Sequence, residues 1–478
     1  MSTDFFQSLF SNVWSGFLVV LFFGGSIFVH ELGHFLAARL RGAKVERFSI
    51  GFGPAIWSRR GKDGVEYRLS WIPLGGYVML PQLADLGPIE GESTTDVTKL
   101  PPIGYLSKLI ILLAGATFNV LFAFLLACVI WFVGQPMLAD LATTKLGPVT
   151  PLLKLADGTT YPNPAFQAGL KAGDTVRSID GHAVANFDDI INGVFLGSQR
   201  ASDGRRQSTF EIDREGRTMQ VTVFPLLLSE EKIRVAGVEP PDSFLTADAV
   251  LPGSPAEVAG IRPGDRIIAI DGKPVFQRSV SEHLAQNPGH PSDFLLQRGT
   301  EQLTLRIQPR LETDATTGKP VPRIGLRYHR DAIILLHPTP WSQISDAASA
   351  MFRTLSALIS PTSDVGPSKM SGVIGIARAL HQQAQWDVRR AVWFVIIINV
   401  NLALLNLMPI PVLDGGQILF ATIGKLRRRE LPANFVIATQ SAFAVLLIAL
   451  MLYLGVSDIQ RWGRESRAER AEAAAPAK

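Results

Sequence analysis

The chain has 478 residues, 47% of them hydrophobic and only 18% charged, with a formal net charge of +4. That length exceeds one compact domain, and a small positive balance without a basic, aromatic-interleaved stripe argues against a nucleic-acid partner. The single cysteine, Cys128, excludes an intrachain disulfide and a multi-cysteine metal site.

From the N-terminus, Val13–Arg39 is the first of four segments apolar enough to cross a bilayer, which takes about 20 residues. The others are Leu109–Gly134, Ala391–Val412 and Phe435–Leu454. Met1–Val29 holds no lysine or arginine and no small-residue cleavage site follows it, so the first segment reads as a retained span (residues 1–40). Within it stands "HELGH", comprising His30, Glu31 and His34. Histidines four apart on a helix share a face, so both imidazoles can bind one metal ion, with Glu31 beside them as general base toward an activated water. The plainer reading is polar residues packed in a bundle. The cost of ionisable groups inside a span weighs against it.

Residues 41–106 follow as a loop. "FSIGFGPAIW" alternates Phe48, Ile50 and Phe52 with small residues, and "VEYRLSWIPLGGYVML" is again strand-like after the polar turn "SRRGKDG". The pattern predicts a β-hairpin beside the membrane. The second span, 107–134, carries Gly115 and Asn119 four apart, which either line a cavity or serve close helix packing.

Next comes an internal repeat. "PAFQAGLKAGDTVRSIDGHAV" (164–184) recurs as "PAEVAGIRPGDRIIAIDGKPV" (255–275), 91 residues on, with ten identities in 21. So long a period indicates two tandem α+β domains, about 141–230 and 235–312, inserted between the second and third spans. In each, a short helix ends at Gly169 or Gly260 and a strand leads to Asp-Gly, the tight-hairpin dipeptide. The pattern resembles the PDZ domains of bacterial membrane proteases, and such domains capture extended peptides on a sheet edge. An amphipathic connector (335–390), a third span (391–414), a fourth (433–456) and a polar tail (457–478), either helical or disordered, complete the chain.

A catalytic zinc site normally takes three protein ligands, and Leu40 stands where a further downstream histidine would complete "HExxHxxGxxH". The remaining six histidines lie in or beside the middle region. Asp414 in "NLMPIPVLDGGQ" is the best remaining candidate for the third ligand. His30–His34 come 17–21 residues after Val13 and Asp414 comes 23 after Ala391. With parallel first and third spans, all three lie about 25–35 Å from the outer ends, at one depth. Pro409 and Pro411 must unwind the third span near Met408–Leu413, and extended chain there can hold a substrate as a strand. Asn406 either donates to the substrate or is a helix-packing amide.

Orientation follows from charge. Arg41, Lys44, Arg47, Arg59, Arg60, Lys62 and Arg68 after the first span, and Lys425, Arg427, Arg428 and Arg429 after the third, make both loops cytoplasmic. The N-terminus, the repeats and the tail are then outside, although four arginines in the tail pull the other way. The metal-binding residues lie near the cytoplasmic face.

Together "HELGH", "VERFSIGFG", "IPLGGYV", "AGATFN", the repeats and "NLMPIPVLDGG" resemble the site-2 protease family of intramembrane zinc metalloproteases, in its bacterial RseP-like group with tandem PDZ domains. The resemblance implies that His30, His34 and Asp414 bind Zn2+ and that Glu31 is the catalytic base. It also implies that Phe48–Leu80 is a membrane-reentrant β element presenting substrate, and that Asn406, Pro409 and Pro411 belong to the substrate-binding region. Implied substrates are transmembrane segments of single-span proteins, of the anti-sigma-factor or remnant signal-peptide type, in a bacterial inner membrane. The PDZ pair would then be a size filter. The competing class is a membrane scaffold whose PDZ units bind peptides over a vestigial metal site; an ion transporter lacks the repeated hydropathy halves it would need.

Overall fold

The computed structural model describes residues 3–83, 100–154, 159–228, 233–241, 245–274, 280, 283–284, 288–299, 301–313, 320–329, 333–429 and 431–474. The chain divides into two compact units. One is Met1–Pro136, Leu336–Arg353 and Met370–Ser466; the other is Met137–Leu335, Thr354–Lys369 and Arg467–Lys478.

The first unit opens with α1 (Thr3–Leu40), followed by strands β1 (Arg47–Arg60) and β2 (Glu66–Met79), then α2 (Tyr105–Val133). β1 and β2 pair antiparallel at both ends: Arg60 lies opposite Glu66, and Arg47 opposite Met79. Glycines at positive φ (Gly51, Gly53, Gly75) let the ribbon bend between those ends. The bend brings Arg47–Ile50 alongside Glu66–Leu69 as well, with numbers rising together from Arg47/Glu66 to Ile50/Leu69. The two strands thus make a small curled sheet, which the alternation in the sequence could not foretell. Phe48, Val78 and Leu80 from it bury against Phe35 and Ala38 of α1.

The second unit is β-rich. Its first sheet contains β3 (Thr175–Ile179), the two-residue strand His182–Ala183, β4 (Ser208–Arg214) and β5 (Arg217–Val223), with helix α3 (Phe187–Phe195) before β4. The order is His182–Ala183, β3, β4, β5. Its second sheet repeats this with β6 (Leu245–Val250), β7 (Arg266–Ile270), β8 (Ser292–Arg298), β9 (Glu301–Ile307) and β10 (Leu326–His329), in the order β9-β8-β7-β6-β10. Phe210 and Ile212 fill one core, Phe294 and Leu296 the other. The Asp-Gly pairs have both residues at positive φ (Asp180 51°, Gly181 82°; Asp271 48°, Gly272 73°), which is the conformation of the type I′ hairpin turn.

Each sheet is tied by one two-pronged arginine. Arg214 Nε and Nη2 both donate to Asp174, and Nη2 also donates to the Gly169 carbonyl; Arg298 does the same to Asp265 and Gly260. The Asp265 side chain is 1% exposed. Burial alone would raise its carboxyl, but Arg298 and the Arg262 N–H hold it below the usual range. Its contribution is therefore present above about pH 4 and is lost as pH falls through the lowered value. Arg298→Ala strands a buried carboxylate, at a cost on the order of 3 kcal/mol. Hydrogen exchange is expected to quicken in β7 and β8 and to stay unchanged in β3 and β4.

The chain closes with α4 (Pro340–Ile359), α5 (Val373–Trp386), α6 (Val388–Asn406), α7 (Asp414–Arg427) and α8 (Ala433–Ala474). Four helices among the described residues are long and apolar enough to cross a membrane: Val13–Leu40, Tyr105–Val133, Val388–Asn406 and Ala433–Arg464. α2 packs against α1, α6 and α7, and α5 packs against α1 and α6. Ala123 and Ala127 on α2 are fully buried and small, so Ala347, Ile396 and Val400 come close. Two polar ties join the helices: Asn399 Nδ2 donates to Ser26 Oγ at 2.9 Å, and Gly375 N–H donates to Asp458 at 2.7 Å. The latter caps the first turn of α5, whose own N-cap, Gly372, has no side chain to offer. The polar tail continues the α8 helix to Ala474, and residues 475–478 lie outside those described.

Candidate metal centre

His30 and His34 lie one turn apart on α1, and both are buried. Their Nε2 atoms are 3.1 Å apart, and each lies 3.3 Å from Oδ2 of Asp414. One ligand atom from each residue thus falls within a single small triangle. His34 Nδ1 stands 2.8 Å from the Ile111 carbonyl, which can only accept, so Nδ1 carries the proton and Nε2 presents a lone pair. His30 Nδ1 is 3.2 Å from the Asn119 amide, whose oxygen is buried and otherwise unpartnered. With that oxygen turned to the ring it accepts from Nδ1–H, and the second Nε2 is bare as well. Asp414 Oδ2 is buried with no hydrogen-bond donor. With both rings neutral, three acceptor atoms meet here, a donor set that fits a metal cation.

The backbone brings these groups together by close approach. A Cβ on Gly115 would lie 2.4 Å from His34 Nε2 and 2.7 Å from His30 Cε1. A Cβ on Gly33 would lie 2.5 Å from the Ala114 carbonyl oxygen. Glycine at both positions is what allows α1 and α2 to cross at the histidines. Tyr105 Oη and Thr422 Oγ1, 3.0 Å apart, tie α2 to α7, the helix that Asp414 opens. Glu31 faces β2: the Val78 backbone N–H donates to its carboxylate, and a Cβ on Gly76 would stand 3.2 Å from its Cγ.

α6 ends at Asn406, and residues 407–413 are unwound. They are not the extended strand expected from the two prolines. Pro409 and Pro411 sit in successive turns, with Leu413 N–H bonded to the Ile410 carbonyl. The cause lies in the next two residues: the Cα of Gly415 packs under the Leu407 and Met408 carbonyls and that of Gly416 under Ile410, where any Cβ would be within 2.5 Å of backbone. Chain folded back so tightly cannot extend. Asn406 Nδ2 lies 3.4 Å from His30 Nε2, so of the three residues expected to bind substrate it is the one brought to the metal ligands.

The structure gives two residues the sequence had marked a definite place and adds one group it had not. Asn119 and Gly115 turn out to touch the ligand histidines themselves, and the Ile111 carbonyl fixes one ring. "AGATFN" marked the first two as either cavity or packing residues. A carbonyl leaves no mark in a sequence, since every residue has one.

Comparison with known proteins agrees with this geometry. The model of peptidase family M50 matches residues 18–450. The chain is 30% identical to the "Regulator of sigma-E protease RseP" of Salmonella typhimurium and to that of Escherichia coli, and 29% identical to "Protease RseP" of Yersinia pestis. Each alignment covers 93% of this chain and 99% of the relative. The matches run through both the span bearing the paired histidines and the helix break before Asp414, and they place the chain in peptidase family M50, as a zinc metalloprotease of the membrane.

Proposed function

We propose that this protein hydrolyses a peptide bond inside the transmembrane segment of single-span membrane proteins, with Zn2+ held by His30, His34 and Asp414. The ligand triangle carries this reading. Atoms about 2.05 Å from a tetrahedral zinc stand about 3.3 Å apart, and the three edges here are 3.1, 3.3 and 3.3 Å. Zinc bound there supplies a Lewis acid that lowers the pKa of a water molecule to about 7. Glu31 would serve as the general base, its carboxylate oxygen accepting a proton from the attacking water and passing it to the leaving amine. Asn406 donates Nδ2–H to the scissile carbonyl, and Asn119 and Ile111 hold the histidine rings in their ligating tautomers.

The turns containing Pro409 and Pro411 border the substrate path, and the curled β1–β2 sheet presents the segment to be cut. Trp57 and Trp71, both more than half exposed, fit a membrane interface, with Arg59, Arg60 and Lys62 beside them on the cytoplasmic side. The two sheets of the second unit are PDZ domains that exclude substrates with bulky external parts and bind extended peptides. By similarity to the sigma-E regulators, substrates are of the anti-sigma-factor or remnant signal-peptide type. The site is a bacterial inner membrane, with the N-terminus, PDZ domains and C-terminus outside.

Zinc per chain in detergent-purified wild type, Asp414→Ala and His34→Ala tests the assignment. About one equivalent is expected in the wild type, with loss or marked weakening in both variants. Failure of the folded wild type to take up zinc would instead favour a peptide-binding scaffold.

A further inference from the structure

Asp364 lies on the strap of residues 360–369 that joins α4 to α5. Three arginines of the first sheet's neighbourhood converge on its carboxylate. Arg206 donates from Nε at 2.9 Å and Nη2 at 3.2 Å, Arg200 from Nη2 at 3.1 Å, and Arg234 from Nε at 2.6 Å. The pocket also reads backbone two residues earlier, where the Thr362 carbonyl accepts from Arg200 Nε at 3.1 Å and Arg234 Nη2 at 3.4 Å. Further along, the Lys369 ammonium stands 5.8 Å from the centre of the Phe195 ring, at the end of α3. Burial would raise the Asp364 carboxyl, but Arg206 and Arg234 hold it at about 2.

Three features make this more than a structural salt bridge. Cationic donors outnumber what one carboxylate can use: Arg234, whose side chain is wholly buried, keeps Nη1 without a partner even with the Asp180 carboxylate nearby. The contacts also define a pattern, a carbonyl followed two residues later by a carboxylate, presented here by the turn at Pro361–Thr362 and the residues after it. Finally, the fold does not require the trio. Register between the sheets (Ser208 with Ser292, Ala236 with Ile324) puts His290 and Pro322 where Arg206 and Arg234 stand.

We propose that Arg200, Arg206 and Arg234 form a docking site for an acidic peptide of a partner protein, filled here by the chain's own Thr362–Ser363–Asp364 as a tethered ligand. A partner segment that takes the pocket sets residues 360–369 free, and these lead directly into α5. The site uses side chains, not an open sheet edge, and does not depend on the metal assignment.

The test uses full-length protein in detergent and a labelled peptide of residues 360–369, SPTSDVGPSK, acetylated and amidated. A tethered competitor acts at an effective concentration on the order of millimolar, so the wild type should bind the peptide poorly. Asp364→Asn and Asp364→Ala should each bind it at least tenfold more tightly by fluorescence anisotropy. Adding Arg206→Ala to either should abolish that gain, as should replacing the peptide's aspartate by asparagine. Unchanged hydrogen exchange in β3–β5 checks that the variants remain folded. Equal binding or no binding by wild type and both variants would overturn the proposal, as would binding that survives Arg206→Ala.

Discussion

Replacing Gly115 by alanine is expected to strip the metal centre while leaving the helices in place. The added methyl would lie 2.4 Å from His34 Nε2, far inside contact distance. Neither partner has an easy retreat. α1 and α2 are already in backbone contact at Gly33 and Ala114, and the His34 ring is pinned through Nδ1 to the Ile111 carbonyl. Rotating the ring away breaks that hydrogen bond and turns Nε2 from Asp414. Changes to groups that merely orient metal ligands weaken binding about 10- to 100-fold, and a direct clash should do at least that. Metal content after dialysis against a graded chelator reads the effect. Gly104→Ala is the control, because a Cβ there meets nothing within 4 Å. Full metal retention by Gly115→Ala would mean that the two helices are looser than their contacts indicate.

Glu31→Gln should separate chemistry from binding. Glutamine keeps the volume and can still accept from the Val78 N–H, so the α1–β2 contact survives. It cannot take up and return a proton. Loss of general base catalysis costs roughly 100- to 10,000-fold, whereas zinc per chain should stay at the wild-type level. Cleavage of a single-span reporter in proteoliposomes measures the first and elemental analysis the second. Undiminished cleavage would refute Glu31 as the base.

Much of the centre was legible in the sequence because its physics is local or topological. The spacing of His30 and His34 on a helix is local. Bringing Asp414 to them needed only span direction and helical rise, and the 3.3 Å contacts agree with it. The repeat was legible as well, since Gly169, Gly260 and the two Asp-Gly turns are positions where backbone conformation dictates residue type. Other features had no such marker. The turns at 407–413 depend on Gly415 and Gly416 packing under carbonyls, a tertiary contact that two prolines do not encode. The fold-back of the β1–β2 ribbon pairs Arg47–Ile50 with two partners at once, and alternation carries only one register. The arginine trio gathers positions 200, 206 and 234 around residue 364, four surface-type residues with no pattern among them.

The order in which the chain leaves the ribosome has a bearing on its safety. The helical unit is assembled from three separate stretches, and the three candidate ligands come from the first and the last of them. Asp414 follows His34 by 380 residues. At ordinary rates of translation that interval is roughly 20 to 80 s. Throughout it the β-rich unit, nearly all of which lies between these residues, can fold while the nascent chain still lacks the third member of the His30–His34–Asp414 cluster. A membrane protease of family M50 built this way would stay inert beside the newly inserted spans around it until its own synthesis is almost finished.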